Sequence, residues 1–398
     1  MASSKPKFDV CVVGGAGHVG APLAIVLASH GFRVLIHDLN RQAMNTLAEG
    51  RMPFLEKGGE KLLRRVLAQG QLGFSDSPES IRGIPTLILT IGTPIDEFQN
   101  PLTSLLVSCL ETLLPHIADG SQLILRSTVA PGTTAFLDLH LKKKGRRLPV
   151  AFCPERVVQG RAIEEIQTLS QIISGTSPAA VKAARRIFSK VTSGLVEMTP
   201  LEAEYAKLIC NAYRYIQFAA TNQLYMLVES AGLDYNRLLD KMKLGYPRMG
   251  QIPRAGFAAG PCLMKDTMQL FGFQRHKFIL GQVAMTINEG LPDYIVSRLI
   301  DSAGIVGRKI GILGMAFKSE SDDIRDSLSY KLRKILEFQG AKVYCSDEYV
   351  KDSAFVSKEE LISLCEIVIV GVPHKVYRGL KTSPSQTLVD IWDVCGSS

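Results

Sequence analysis

The feature that most constrains this chain is a short apolar run, FDVCVVGG at 8–15, leading into glycines spaced G-x-G-x-x-G at Gly15, Gly17 and Gly20. A near-continuous apolar run is the pattern of a parallel strand buried on both faces. The first glycine allows a tight turn, the second lets the backbone approach a pyrophosphate, and the third lets helix and strand pack closely. His18 and Val19 sit where the following helix begins, and its unpaired N–H groups face the phosphates. FRVLIHD at 32–38 reads as the second strand and ends in Asp38. An acid there accepts both ribose hydroxyls and repels a 2′-phosphate, so the cofactor expected is NAD rather than NADP.

Further strands are expected at 86–92, 123–128, 150–155, 171–175 and 195–198, mostly separated by helical stretches. That alternation predicts a doubly wound parallel sheet. At Thr199 the texture changes. TPLE places Thr at an N-cap, Pro at the first helical position and Glu three residues after the cap, which predicts one long helix to about Ala231. GRKIGILGMAF at 307–317 then restarts the rhythm, with AKVYCSD ending in Asp347, EIVIVGV at 366–372 and TLVDIW at 387–392. The fold class expected is α/β: two Rossmann-like doubly wound parallel-sheet domains joined by a long central helix and helical region. The boundaries are 1–198, 199–304 and 305–398, and 398 residues exceed what one core organises at roughly 150 residues per domain.

A net charge of +8 is mild and diffuse, so nucleic acid is not an expected partner, although a basic balance suits an anionic substrate. The cluster Lys142 to Arg147 reads as a solvated charge run. The opening residues lack a secretory h-region, and no apolar run is long enough to span a bilayer. The eight cysteines are scattered without a CxxC pair, the usage of a reducing cytosol, so a cytoplasmic location is expected and no membrane association. No metal site is expected.

Cys262 differs from the other cysteines. It lies in AGFAAGPCLMKD, where glycines and a proline enforce an irregular loop and Lys265 and Asp266 follow. A thiolate there can add to an aldehyde, and a second hydride can leave the thiohemiacetal to form a hydrolysable thioester. Lys207 and Asn211, four residues apart, share a face of the long helix within a largely apolar stretch. There they need buried partners or a ligand, and together they can stabilise an alkoxide or thiohemiacetal oxygen.

These stretches resemble the UDP-glucose, UDP-N-acetylhexosamine and GDP-mannose dehydrogenases. The matching wording is GGAGHVG, IGTP (91–94), RSTVAPGTT (126–134), CPERVVQG (153–160), Lys207 and Asn211 followed by TNQ, GPCLMKD (260–266) and LGMAFKSESDDIRDS (313–327), in the family's order across nearly the whole chain. The resemblance implies an N-terminal NAD domain, a central helix that forms a homodimer or higher homo-oligomer, and a C-terminal domain for the UDP of a nucleotide-sugar substrate. The reaction implied is oxidation of the C6 hydroxymethyl group to a uronate by two NAD+. Cys262 would be the nucleophile, and Lys207 and Asn211 would hold the oxyanion. Asp266 would position Lys207 and a water, Thr128 would bind that water or the substrate O6, and Glu155 would act as general base in thioester hydrolysis. Thr93, Pro94, Ser127 and Thr128 would line the cofactor. Glu155, Arg156, Phe257, Gly260, Phe317, Lys318 and Arg325 would contact the substrate, with Arg248 reaching it from a neighbouring subunit.

The wording mixes branches of the family. Gln159 stands where many UDP-glucose enzymes carry a second glutamate, and CPERV resembles the N-acetylhexosamine branch, which usually lacks the Lys-Asp pair after cysteine. Glucose and N-acetylhexosamine therefore both stay open. Two other readings remain: a β-hydroxyacid or 6-phosphogluconate-type dehydrogenase making a single hydride transfer, and a non-catalytic NAD- or nucleotide-sugar-binding protein.

Overall fold

The computed structural model describes residues 7–94, 96, 102–275 and 277–396. The chain divides into two compact units, 1–209 and 210–398, and the division falls within one helix.

The first unit is built on eight strands: β1 Val10–Val13, β2 Val34–His37, β3 Leu72–Ser75, β4 Thr86–Leu89, β5 Gln122–Leu125, β6 Val150–Phe152, β7 Gln171–Gly175 and β8 Leu195–Glu197. Their helices are α1 Gly20–Ser29, α2 Arg41–Ala48, α3 Gly59–Ala68, α4 Thr103–Leu113, α5 Thr133–Lys143, α6 Ala162–Thr168 and α7 Pro178–Phe188. The sheet order is β3-β2-β1-β4-β5-β6-β7-β8. Order therefore reverses between β1 and β4, the position at which such sheets bind nucleotides beyond the strand C-termini. The first six strands are parallel, as expected, but β7 meets β6 antiparallel and β8 follows β7. A run of apolar residues records burial and not direction, so this reversal left no mark in the sequence. β3 was also not anticipated. Its four residues, LGFS, are half-buried at the sheet edge and form no continuous apolar run.

Apolar residues pack on both faces of the sheet, with α1 buried from Gly20 to Ala28 on one side and α4 and α5 on the other. The cations at the end of α5 are taken up at the surface. Lys142 pairs with Asp138, Lys144 with Glu111 and Arg146 with Asp119.

α8, Pro200–Ser230, contains the division between the units. It opens on the expected reciprocal cap: Glu202 Oε2 accepts from Thr199 N at 2.8 Å, and Glu202 N donates to Thr199 Oγ1 at 3.4 Å. It closes where Gly232, at φ +74°, takes the left-handed conformation and Leu233 N donates to Val228 O.

The second unit continues with α9 Tyr235–Lys243, α10 Leu263–Phe273, α11 Ile279–Ala303, α12 Leu328–Phe338 and α13 Lys358–Leu364, around strands β9 Lys309–Leu313, β10 Lys342–Ser346, β11 Ile367–Val370 and β12 Thr387–Val389. Its sheet is wholly parallel in the order β10-β9-β11-β12, with the reversal between β9 and β11.

Candidate active site

In the first unit the glycine turn divides its labour differently from the sequence expectation. The left-handed residue of the turn is Gly14, at φ +75°, one position before the motif. Gly15 is required for close approach instead: a Cβ there would lie 2.6 Å from Val12 O. A Cβ at Gly20 would lie 2.3 Å from Gly14 O, as the packing role of the third glycine demands. At Gly17 the nearest atom to such a Cβ is 3.5 Å away, so its outer side is open. Thr90 Oγ1 fastens the turn by donating to Val13 O and Gly14 O, at 2.8 and 3.0 Å. Val19 is the N-cap of α1 and makes no side-chain capping bond, which leaves the helix terminus to an anion.

Asp38 is half-buried at the end of β2. Its Oδ2 accepts from Ala16 N and its Oδ1 from Asn40 N, each at 2.9 Å. Each carboxylate oxygen keeps a further lone pair for a ribose hydroxyl. The turn, the open helix end and this acid fit the adenosine diphosphate half of NAD. His18 stacks on Phe54 with ring centroids 4.0 Å apart. At the ends of β4 and β5, Thr93 Oγ1 donates to Thr128 O and Ser127 Oγ donates to Ile91 O at 2.7 Å, so the IGTP and RST segments are joined. Pro94 is exposed beside them.

Glu155 has a setting that its sequence position did not suggest. Its Oε2 accepts from Arg126 Nη2, and its Oε1 accepts from Arg156 N and Val157 N at 2.7 and 2.8 Å. Arg126 is about 1% exposed, donates also to Cys153 O and Gln171 Oε1, and lies over the Phe188 ring. The only hint of this anchor in the sequence was a cation inside the apolar run LILRST. Arg156 itself donates to Ser170 O.

Lys207 is buried on α8. One turn before it, Glu204 is also buried and accepts from Gly132 N at 2.5 Å, Thr134 N at 2.7 Å and Thr134 Oγ1 at 2.6 Å. α8 thus caps α5, whose own N-cap, Gly132, has no side chain to do so. Burial pushes the Glu204 carboxyl up, against these three donors.

In the second unit Cys262 is exposed as the N-cap of α10. Burial pushes the thiols of Cys11, Cys153, Cys345, Cys365 and Cys395 well above the ordinary value. Cys210, on α8, is also exposed but is not at a helix terminus. A thiol at a helix N-terminus is the one placed for nucleophilic chemistry.

Asp266, one turn into α10, is about 1% exposed. Its Oδ2 accepts from Asn211 Nδ2 at 2.6 Å, and its Oδ1 pairs with Lys265 Nζ at 2.7 Å. Asn211 keeps one amide hydrogen for an oxyanion. Among the described residues of this unit, Lys265 and Asn211 are the side chains that hold Asp266.

Gly260, at φ +100°, lies under Phe317, where a Cβ would be 2.4 Å from the ring, and its N–H donates to Asp326 O. Arg325 clamps Asp323 with Nε–Oδ1 at 3.0 Å and Nη2–Oδ2 at 2.7 Å. That bond, against burial, holds Arg325 above its usual value, with smaller charge contributions from Asp323, Cys262 and Asp326. Lys318 lies 5.9 Å from the Phe317 ring centre, and Phe257 is buried in the same unit's core. Arg248 is exposed on a short turn beside Tyr246.

The acid that ends β10 is not a second copy of Asp38. Asp347 accepts from Met315 N, Ala316 N, Tyr349 N and Val350 N and from the His374 ring, and its side chain is wholly buried. Burial raises its pKa, but the His374 hydrogen bond and charge outweigh this and hold it at about 2. It braces loops, and only Asp38 remains open to a ribose.

Among the described residues no group of three or more His, Cys, Asp or Glu forms a metal cluster, and no helix is long and apolar enough to cross a membrane. In the first unit the open dinucleotide turn, the uncapped helix end and Asp38 mark an NAD-binding domain of the kind that dehydrogenases carry.

Three models of the UDP-glucose/GDP-mannose dehydrogenase family match the chain: its NAD binding domain at residues 8–192, its central domain at 201–289 and its UDP binding domain at 311–397. The UDP-N-acetyl-D-mannosamine dehydrogenase of Pyrococcus horikoshii is 27% identical over 92% of this chain and 90% of that protein. The NDP-N-acetyl-D-galactosaminuronic acid dehydrogenase of Ralstonia solanacearum is 26% identical over 96% and 95%. Among solved structures, a UDP-glucose dehydrogenase from Pyrobaculum islandicum superposes with a TM-score of 0.88 at 26% identity, covering 98% of this chain and 95% of that one. The P. horikoshii UDP-D-ManNAc dehydrogenase gives 0.89 at 26%, covering 97% and 99%. The chain belongs to the UDP-glucose/GDP-mannose dehydrogenase family, and its cofactor is NAD.

Proposed function

We propose that the protein oxidises the C6 hydroxymethyl group of a UDP-sugar, UDP-glucose or a UDP-N-acetylhexosamine, to the carboxylate. The observation that carries this reading is an exposed thiol at the N-cap of α10, one helical turn from a buried Asp266 that is itself bonded to Asn211. NAD+, when bound, accepts a hydride from the C6 alcohol and a second from the Cys262 thiohemiacetal. Between these events the Cys262 thiolate adds to the aldehyde carbon, and the oxygen that gains the electron pair is stabilised by Lys207 and the free amide hydrogen of Asn211. Water then cleaves the thioester, releasing the carboxylate and returning the thiol. Thr128 binds that water or O6, and Glu155 assists from a position fixed by Arg126. Overall, R–CH2OH, two NAD+ and water give R–COO−, two NADH and three protons.

The nucleotide moiety is assigned to residues 305–398 and their approach, with Lys318 and Arg325 on the substrate phosphates or the sugar; residues 1–198 serve NAD and 199–304 carry the cysteine and the oligomer contact. A single-hydride hydroxyacid dehydrogenase is not favoured, because the family's three domains run from 8 to 397 of this chain. Purified protein should form two NADH per sugar with one member of a panel of UDP-glucose, UDP-N-acetylglucosamine, UDP-N-acetylmannosamine, UDP-N-acetylgalactosamine and GDP-mannose. One NADH per sugar, or turnover of GDP-mannose alone, counts against the proposal.

The assembly proposed is a homodimer or higher homo-oligomer in the cytoplasm. It is supported by an uncovered apolar stripe on α8: Ile209, Tyr213, Leu224 and Leu227 are 53%, 60%, 41% and 65% exposed. At roughly 100° per residue they fall within about 60° of one another on the helix. The expected solution mass is at least twice the 43.5 kDa of the chain, reduced to one chain by Tyr213→Glu with Leu227→Glu. A monomeric wild type rules the assembly out.

A further inference from the structure

The cysteine segment is gripped from α8 at two points, of which Asn211 on Asp266 is one. The other lies six residues before Cys262, at Gly256. Asn222 is wholly buried and pairs with both backbone groups of Gly256: its Oδ1 accepts from Gly256 N at 2.9 Å, and its Nδ2 donates to Gly256 O at 3.0 Å. The second Nδ2 hydrogen goes to Oδ1 of Asn288 on α11, at 2.9 Å. Asn288, equally buried, donates its own amide to Tyr215 O at 3.0 Å. Every polar atom of the two amides has a partner. A satisfied buried network of this kind holds one geometry, because turning either amide leaves unpaired groups in a low dielectric.

The loop that follows has little freedom. A Cβ at Gly256 would lie 2.4 Å from the Trp392 ring, and Ala255, Phe257 and Ala258 are buried. Gly260 is then fixed by Phe317 and the Asp326 carbonyl. Asn211 and Asn222 are eleven residues apart on one helix, about 16 Å at 1.5 Å per residue. One rigid element therefore sets the chain both before and after the thiol.

We propose that Asn222, supported by Asn288, is a positioning residue for Cys262. Through Gly256 it holds the thiol at the α10 N-terminus and in register with Asn211 and Asp266. This role rests on the thioester reading only for its effect on turnover.

The test is Asn222→Asp, which keeps the acceptor for Gly256 N but sets a carboxylate oxygen against Gly256 O and Asn288 Oδ1. The kcat is expected to fall by about 10- to 100-fold, the loss typical of a displacement near 1 Å, with KM for the UDP-sugar within about twofold. Iodoacetamide alkylation of Cys262 at pH 7, followed peptide by peptide, should slow by about three- to tenfold as the thiol leaves the helix terminus. Cys210, exposed outside the loop, serves as the internal control and should keep its rate. Wild-type kcat and wild-type Cys262 alkylation in the folded variant overturn the proposal, as does a lowered melting temperature with both rates intact. Should Asn222→Asp not fold, Asn288→Ala, which spares the bonds to Gly256, should lower both rates by about threefold. Unchanged rates there overturn it equally. If the wild type forms no NADH with any sugar, the proposed function fails, while the alkylation comparison still reads the grip on Cys262.

Discussion

Replacing Cys262 by Ser should lower steady-state NADH formation by about 10⁴- to 10⁶-fold, the range over which removal of one member of a nucleophilic catalytic group acts. The first oxidation of C6 does not use the thiol, so the variant should release at most one NADH per active site and then stall. A serine hydroxyl lacks the acidity that lets Cys262, at the N-cap of α10, attack as an anion. The measurement is a rapid-mixing NADH trace with the preferred sugar, alongside the overall ratio of NADH to sugar consumed. A variant that still forms two NADH per sugar at close to the wild-type rate would sink the thioester route, and a wild type that forms only one would return the single-hydride dehydrogenase to consideration.

Removing the Arg126 guanidinium should produce the largest loss of stability in the first unit. Arg126→Ala leaves the Glu155 carboxylate buried with only two backbone amides, and breaking a buried pair in this way costs about 3–5 kcal/mol. Urea unfolding gives the value. Arg126→Met with Glu155→Leu should recover only part of the loss, because it removes the desolvation cost of the pair but leaves Cys153 O, Gln171 Oε1 and the Arg156 and Val157 amides without these partners. A cost below about 1 kcal/mol for Arg126→Ala would place the pair among surface-like contacts. The double variant also separates two roles for Glu155: a fold anchor alone leaves turnover intact when both residues are replaced, whereas an assistant to thioester hydrolysis does not.

The sequence by itself determined what depends on neighbours a few residues away. The turn glycines near Gly15, the Thr199 and Glu202 cap of α8 and the end of that helix, expected near Ala231 and found at Ser230, all follow from local backbone geometry and hydrogen bonds. The second α/β unit was legible for the same reason, since apolar strand runs and Gly-rich turns recur. Cys262 is set apart in the sequence by glycines and a proline, and the structure places it, exposed, at the N-cap of α10. Tertiary structure alone decided what depends on partners far along the chain. The antiparallel meeting of β6 and β7, the assignment of the left-handed turn residue to Gly14, the Arg126–Glu155 anchor, Glu204 capping α5 and Asn222 gripping Gly256 are of this kind. Strand direction, and the partner that a buried carboxylate or amide finds, are set by which surfaces pack together. A side chain's type records only that it must find one.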